Sequence, residues 1–223
     1  MKLVHSDFKY QITLPDKKAS EWVLESPALF SKYLYELYGQ TNGAEGKFVL
    51  SDETEEIDIA KYVELVMTPF EVDCNDRRIL KKLYSDLSTL AYESESFLAT
   101  QDMLQKLQAY FYDLEQKIGY PLEIDDEIDI SAIWKAMNVR VEDYADNVLE
   151  KICQYIKIVT EVLHKKVFVF VNFRSYLTDE QLEQLIELAI YNEVKLLFIE
   201  NCQRDFLEQC TYCVIDKDEC QVY

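Results

Sequence analysis

The stretch KVFVFVNFRSYLTDEQLEQLIELAIYNEVKLLFIE, residues 166–200, limits the fold more than any other part of the chain. Its two ends are continuous apolar runs rich in β-branched and aromatic residues, which suits strands buried on both faces. Between them, Thr178 with Gln181 three residues later forms a capping box that opens a helix carrying Leu182, Leu185, Ile186 and Ala189 on one side. A strand, helix and strand of these lengths form a right-handed parallel crossover, so the chain must contain an α/β layer.

The N-terminal third repeats the alternation. FKYQITL sets Phe8, Tyr10, Ile12 and Leu14 at period two, and EWVLE reads as a further strand. Ser26 and Pro27 then supply a cap and a first-turn proline to a helix whose inner face is expected to hold Phe30, Leu34, Leu37 and Tyr38 and which Gly39 should end. KFVL and VELVM are shorter strand candidates. From Asn75 to Lys165 the period becomes helical: Ile79, Leu80, Leu83, Leu87 and Leu90, then Leu104, Leu107, Phe111, Leu114 and Ile118 before Gly119. A third helix is expected from about Glu142, with Tyr144, Val148, Ile152, Tyr155, Val159 and Leu163 turned inward. All three stripes read as core. The expected class is therefore α/β, with a discontinuous α/β head at residues 1–72 and 166–223 and an inserted α-helical leg at 73–165.

With 49% hydrophobic residues and only four glycines and four prolines among 223, the chain is globular rather than disordered. No secretory signal opens it, and runs such as VFVFV are too short to span a bilayer, so a cytoplasmic protein without a membrane partner is expected. Six cysteines fit that compartment as thiols. Cys202, Cys210, Cys213 and Cys220 cluster near the end and include a C-x-x-C, but a zinc site would want two such pairs. CTYCVIDKDECQVY reads instead as a hairpin turning at Asp216 to Asp218. His5 and His164 are too isolated to suggest a triad.

An α/β head invites a nucleotide, and the residues answer against one. A phosphate cradle needs glycines between strand and helix, so that bare backbone N–H groups face the anion, and a lysine. The join here is LESPA, with a carboxylate at Glu25, no glycine, and Pro27, which has no N–H. None of Gly39, Gly43, Gly46 and Gly119 belongs to a G-x-x-x-x-G-K, so no nucleotide partner and no ATP chemistry are expected.

The net charge of −19 speaks against nucleic acid for the surface as a whole, although phosphates respond to the local face they touch. Arg77, Arg78, Lys81 and Lys82 crowd the start of the first leg helix, as a DNA contact or as an ordinary solvated face. In LEIDDEIDI, the acids Glu123, Asp125, Glu127 and Asp129 alternate with Leu122, Ile124, Ile128 and Ile130, with Asp126 the exception. An extended backbone would put four carboxylates on one side. Charges about 4 Å apart repel by about 1 kcal/mol in water and about 4 kcal/mol at an effective dielectric of 20, so the row is either a solvated linker or a cation site. Calcium suits such a row better than zinc or magnesium, since it takes six to eight oxygens in irregular geometry and no His or Cys is near. The glycine and spacing of an EF-hand are missing.

ILKKLYSDL, the acidic stretch followed by IWKAMNVRVE, then KVFVFVNFRSYLTDEQLEQL and KLLFIE, in this order over nearly the full chain, together resemble the Csn-two family, the spacer-acquisition protein of type II-A CRISPR-Cas systems. The resemblance implies a head similar to P-loop ATPases but without the phosphate loop, a helical leg, and a homotetrameric ring that binds calcium. It implies a non-catalytic protein that threads linear double-stranded DNA through a positively lined hole, without reading its sequence, alongside the Cas integrase and the guide-RNA effector nuclease in antiviral defence. Asp126 and Glu127 fall where the family carries an acidic pair, and Glu142 is a further matching acid; Glu123, Asp125 and Asp129 complete the candidate calcium set. Lys135 and Arg140 match basic positions of the family, whereas the Arg77 group departs from a helix start that is more polar than basic there. Two other functions remain open on the residues: a magnesium-dependent nuclease using the same acids, with Glu193 to Lys195 as an E-x-K on a strand, and a helical scaffold that binds only proteins.

Overall fold

The computed structural model describes residues 1–7, 11–52, 55–123, 125 and 127–222. In chain order the elements are β1 (Lys2–His5), β2 (Gln11–Thr13), β3 (Ala19–Leu24), α1 (Pro27–Thr41), β4 (Phe48–Ser51), β5 (Glu56–Ile57), α2 (Ile59–Tyr62) and β6 (Val63–Val66). Then come α3 (Arg77–Tyr92), α4 (Phe97–Glu115), α5 (Ile130–Ala136), α6 (Val148–Leu163), β7 (Val167–Val171), α7 (Asp179–Tyr191), β8 (Lys195–Glu200) and β9 (Cys210–Ile215). The chain divides into two compact units, residues 1–74 with 143–223, and residues 75–142.

The first unit is mixed α/β. Its larger sheet has the order β6-β7-β8-β3-β9 with every pairing parallel, and its smaller sheet, β2-β1-β4-β5, is antiparallel. β7 and β8 pair in parallel across α7, as the crossover requires, and the Thr178–Gln181 capping box forms with both of its bonds. Period two sorts the side chains of the large sheet. Trp22, Leu24, Val167, Val169, Val171, Leu197 and Ile199 join Leu34 and Leu37 of α1 and Leu3, Phe48 and Leu50 of the small sheet in one core. The intervening residues of the same strands face the other way. Phe170 lies there with ring centroids 5.9 Å from Phe198 and 4.5 Å from Phe173, on the side where α7 packs on β8 and α6 on α7. β1 answers no sequence signal; it forms because β4, more than forty residues on, supplies its partner. Its His5 is a core residue, edge-on to Tyr33 and Phe48 and hydrogen-bonded to Glu36.

Several boundaries differ from expectation. α1 passes through Gly39 to Thr41 and is stopped by Asn42 and by Gly43, whose φ of +86° is the left-handed turn that a glycine takes without strain. Tyr38 is half exposed, and Tyr33 takes the inner position instead. Of the FKYQITL strand, Phe8 and Tyr10 lie outside the described residues, while Ile12 and Leu14 are buried. α6 starts at Val148, where Asn147 accepts from the N–H of Glu150, so Tyr144 precedes the helix and is exposed. α6 falls in the unit of the sheets, whereas its helical period groups it with the leg in sequence. The terminal hairpin forms as β9 and a single bridge between Ile215 and Gln221, with the Asp216 carboxylate accepting from the N–H groups of Asp218 and Cys220.

The second unit is helical. Asp76 caps α3 and Asp129 caps α5, and the buried Thr100 hydroxyl donates to the Ala91 carbonyl at the α3–α4 turn. Only part of each apolar stripe is covered in this chain. Ile79, Leu104 and Ile130 are buried, while Leu90, Phe111 and Ile118 are exposed, because three helices around so small a unit cannot enclose a full stripe on each.

Candidate functional site

Within the helical unit, α3 and α5 flank an open cavity of about 650 Å³. Arg77, Lys81, Tyr84 and Ser85 reach it from α3, where spacings of four, seven and eight residues share one face. Ser131 and Lys135, four apart, reach it from α5, and Leu80 and Asn75 complete the lining. Among the described residues no acidic side chain lines it. The nearby acids are engaged: Asp76 accepts from the Arg78 and Ile79 N–H groups and pairs with the Arg78 guanidinium at 2.8 Å, and Asp86 pairs with Lys82. Asp129 accepts from the N–H and hydroxyl of Ser131, each at 2.8 Å; the Ser131 bonds, with the Lys135 charge adding to them, hold its carboxyl below the usual range. Among the described residues Arg77, Lys81 and Lys135 form no ion pair. Of the six cations expected from sequence to meet DNA, the fold thus gathers three at one cavity, turns Arg78 and Lys82 to acids, and leaves Arg140 exposed after α5.

The wall of this cavity is fixed by bonds that join distant parts of the unit. The Tyr84 hydroxyl donates to the Val139 carbonyl at 2.9 Å. Asn75 grips Val141 in both directions, donating to its carbonyl at 3.0 Å and accepting from its N–H at 2.8 Å. Asn75→Ala is therefore expected to cost about 1–2 kcal/mol of local stability, seen as roughly tenfold faster amide exchange at residues 139–141 with slower change elsewhere in the unit.

Within the acidic stretch, Ile124 and Asp126 lie outside the described residues. Asp129 caps α5 and Ile130 begins it, so the alternation ends there. Glu123, Asp125 and Glu127 are exposed, Asp126 lies outside the described residues, and Glu142 is exposed at the end of the unit. Glu127 and Asp129 border a smaller cavity of about 390 Å³ with Tyr92, Gln105 and Gln108. No three His, Cys, Asp or Glu side chains converge on a metal position among the described residues. A calcium ion needs six to eight oxygens, and Asp129 has both of its own engaged, so the described acids of a single chain do not present a formed calcium shell.

In the α/β unit a second charged group is buried. Glu21 of β3 and Glu200 of β8 occupy the same face of adjacent strands, where Glu21 registers with Phe198 and Glu200 with Val23. Arg174, in the turn after β7, donates from Nη1 to both Glu21 oxygens at 3.1 and 3.3 Å and from Nη2 to Asp179 at 3.0 Å. Its backbone N–H donates to Glu200 Oε1 at 3.1 Å, while Glu200 Oε2 and Arg174 Nε have no hydrogen-bond partner among the described residues. Burial pushes the Glu200 carboxyl up to about 7, against the partial compensation of the Arg174 N–H, and burial also raises Glu21. Neither the C-x-x-C nor the E-x-K forms a reactive arrangement. Burial lifts the Cys210 thiol to about 12 and Cys213 to about 11, far from the thiolate a redox pair needs. Glu193 sits in a left-handed turn before β8, not on a strand, and Lys195 pairs with Asp16, so the E-x-K geometry is absent. At the β3–α1 join, Ser26 Oγ accepts from the Leu29 N–H, so the helix start is capped by the chain itself.

Residues 40–219, well over half of the chain, match the family model of the CRISPR-associated protein Cas_Csn2. The chain belongs to the Csn2 family. A CRISPR-associated protein Csn2 of Enterococcus faecalis is 29% identical over 134 residues, 57% of this chain and 58% of the relative. Another, of Streptococcus agalactiae, is 31% identical over 149 residues, 66% of this chain and 65% of the relative. The matched parts thus span less than two thirds of either relative's length. Both are named as CRISPR-associated proteins and not as enzymes. In this Csn2-family chain no helix among the described residues is long and apolar enough to cross a membrane.

Sequence reasoning missed two things in the Csn2-family fold. The polar members of the leg cavity, Asn75, Tyr84 and Ser131, carry no motif, and only their spacing from Arg77 and Lys135 marks them. The buried Glu21 and Glu200 left a readable signal: each is a carboxylate at the heart or end of an apolar strand, which demands a buried partner.

Proposed function

We propose that this Csn2-family protein is a non-catalytic DNA-binding component of CRISPR spacer acquisition in antiviral defence. In this reading it assembles as a homotetrameric ring, takes linear double-stranded DNA through the ring without reading its sequence, and works in the cytoplasm with the Cas integrase and the guide-RNA effector nuclease. What supports it most is the cavity between α3 and α5, where Arg77, Lys81 and Lys135 gather, without an ion pair among the described residues, in a chain with 42 acidic and 23 basic residues. Such a face engages phosphates whatever the net charge, and four-fold repetition multiplies it. Calcium is the cofactor of this reading, with Glu123, Asp125, Asp126, Glu127, Asp129 and Glu142 as candidate donors. Because the described donors do not converge within one chain, the ion has to gather them or complete its shell across chains.

The test measures mass in solution and duplex binding with and without calcium. The expected result is a species of four times 26.3 kDa in calcium, shrinking with chelator, that retains linear duplex without degrading it. Lys135→Glu with Arg140→Glu should weaken binding about tenfold and flatten its salt dependence by roughly one to two phosphate contacts. A monomer at millimolar calcium that ignores linear duplex would defeat the reading, and degradation of the duplex would favour a nuclease.

A further inference from the structure

We propose that the cavity between α3 and α5 is a phosphomonoester site, one that takes the terminal 5′-phosphate of a nucleotide together with part of its nucleoside, rather than a passing contact for internal phosphates. Three features of the cavity carry this. The first is charge. Three lining charges drawn at random from this composition would all be positive only about one time in twenty, yet among the described residues Arg77, Lys81 and Lys135 are the only charged lining residues. An internal phosphodiester carries one negative charge, whereas a terminal phosphomonoester carries about 1.5 to 2 at neutral pH and offers three acceptor oxygens. Three cations lining one pocket suit the second better than the first.

The second is shape. The lining residues form an open recess of about 650 Å³, which lies in the size range of small-molecule sites and has room for more than a phosphate alone. Leu80 and the Tyr84 ring give this recess an apolar wall, suited to a sugar or base edge beside the anion. The third is rigidity. Tyr84 is tied to Val139 and Asn75 to Val141, so the wall is set before any ligand arrives, and little ordering has to be supplied on binding. The site does not depend on the start of α3, whose N–H groups at Arg78 and Ile79 are taken by Asp76. Nor does it conflict with the missing phosphate loop, which concerns the β3–α1 join of the other unit.

The same chemistry is offered by the 5′-phosphorylated end of a linear duplex and by a free nucleoside monophosphate. The first source rests on the DNA-binding reading above; the site itself does not. The full-length protein in calcium is titrated with a linear duplex bearing either 5′-phosphate or 5′-hydroxyl ends, by fluorescence anisotropy, and with deoxyadenosine 5′-monophosphate or deoxyadenosine, by calorimetry. The phosphorylated duplex is expected to bind about tenfold more tightly than the hydroxyl duplex, and the monophosphate to bind where the nucleoside does not. Lys81→Glu and Ser85→Glu each place a carboxylate at an exposed position on the rim and should bring the phosphate-to-hydroxyl ratio to about one. Neither change touches a buried contact, and circular dichroism confirms that the fold persists.

Equal affinity for the two duplexes with no uptake of the monophosphate overturns the site and leaves the DNA-binding reading standing. A preference for phosphate that survives both substitutions overturns it too, since the recognition then lies elsewhere. Uptake of the monophosphate that is lost in Lys81→Glu, in a protein that binds neither duplex, supports the site with the free nucleotide as its source and defeats the duplex reading instead.

Discussion

Arg174→Ala is expected to destabilise the α/β unit by about 3–5 kcal/mol, enough to unfold much of the protein at physiological temperature if its total stability lies in the ordinary range of about 5–15 kcal/mol. The loss has two parts. Glu21 is 1% exposed in the middle of β3, and both of its oxygens face the Arg174 guanidinium; without that partner the carboxylate is buried with its charge unanswered. The backbone N–H that Arg174 gives to Glu200 survives the substitution, but the turn that aims it loses the anchor between Glu21 and Asp179. The penalty comes mainly from the orphaned Glu21 and not from a lost attraction, so a companion change identifies it. Glu21→Gln combined with Arg174→Met should be far milder than Arg174→Ala alone, since replacing a whole buried pair is often close to neutral. Urea unfolding of the three proteins decides the matter. A loss under 1 kcal/mol for Arg174→Ala, or a double variant no better than the single, would show that the pair is not a structural lock.

The same residues explain why the two kinds of unit were unequally legible in the sequence. β7, α7 and β8 could be read almost in full because each carries its own signal: apolar β-branched runs for the strands, a capping box for the helix, and burial on both faces that leaves no competing alternation. β1 could not, because four residues with a lysine and a histidine acquire strand character only from β4. Gly39 was a plausible stop for α1, yet glycine ends a helix only where the backbone turns left-handed, and that happens at Gly43. In the leg, periodicity located α3 and α4 but overstated their core, since a stripe records which side is apolar and not how much is covered; Phe111 and Leu90 stay exposed in the single chain. The leg cavity was half legible: basic residues were found by type, and the fold then separated Arg77, Lys81 and Lys135 from Arg78 and Lys82, one helical step away and paired with acids. The acidic row ends at Asp129, which also caps α5, a role that needs only the residues just after it.

Glu200→Gln should change how stability depends on pH, with the largest effect above neutrality. The Glu200 carboxyl titrates at about 7 in the folded protein and near 4.5 when unfolded, because burial at 0% exposure disfavours its charge. Below pH 4.5 both states hold the proton and Glu200 costs nothing electrostatically. Between about 4.5 and 7 the folded state binds the extra proton, so stability falls as pH rises; above about 7 both states are ionised and the full cost, about 3 kcal/mol, is in place. Glutamine carries no charge at any pH and can still accept the Arg174 N–H at the Oε1 position, while its amide takes the place of an Oε2 that has no partner among the described residues. The substitution is therefore close to neutral at pH 4.5 and stabilising by about 2–3 kcal/mol at pH 8. Glu21, whose carboxyl burial also raises, contributes a slope of the same sign. Urea midpoints taken from pH 4.5 to 8 read the difference directly. Parallel curves for wild type and Glu200→Gln would mean that Glu200 is not the group that titrates.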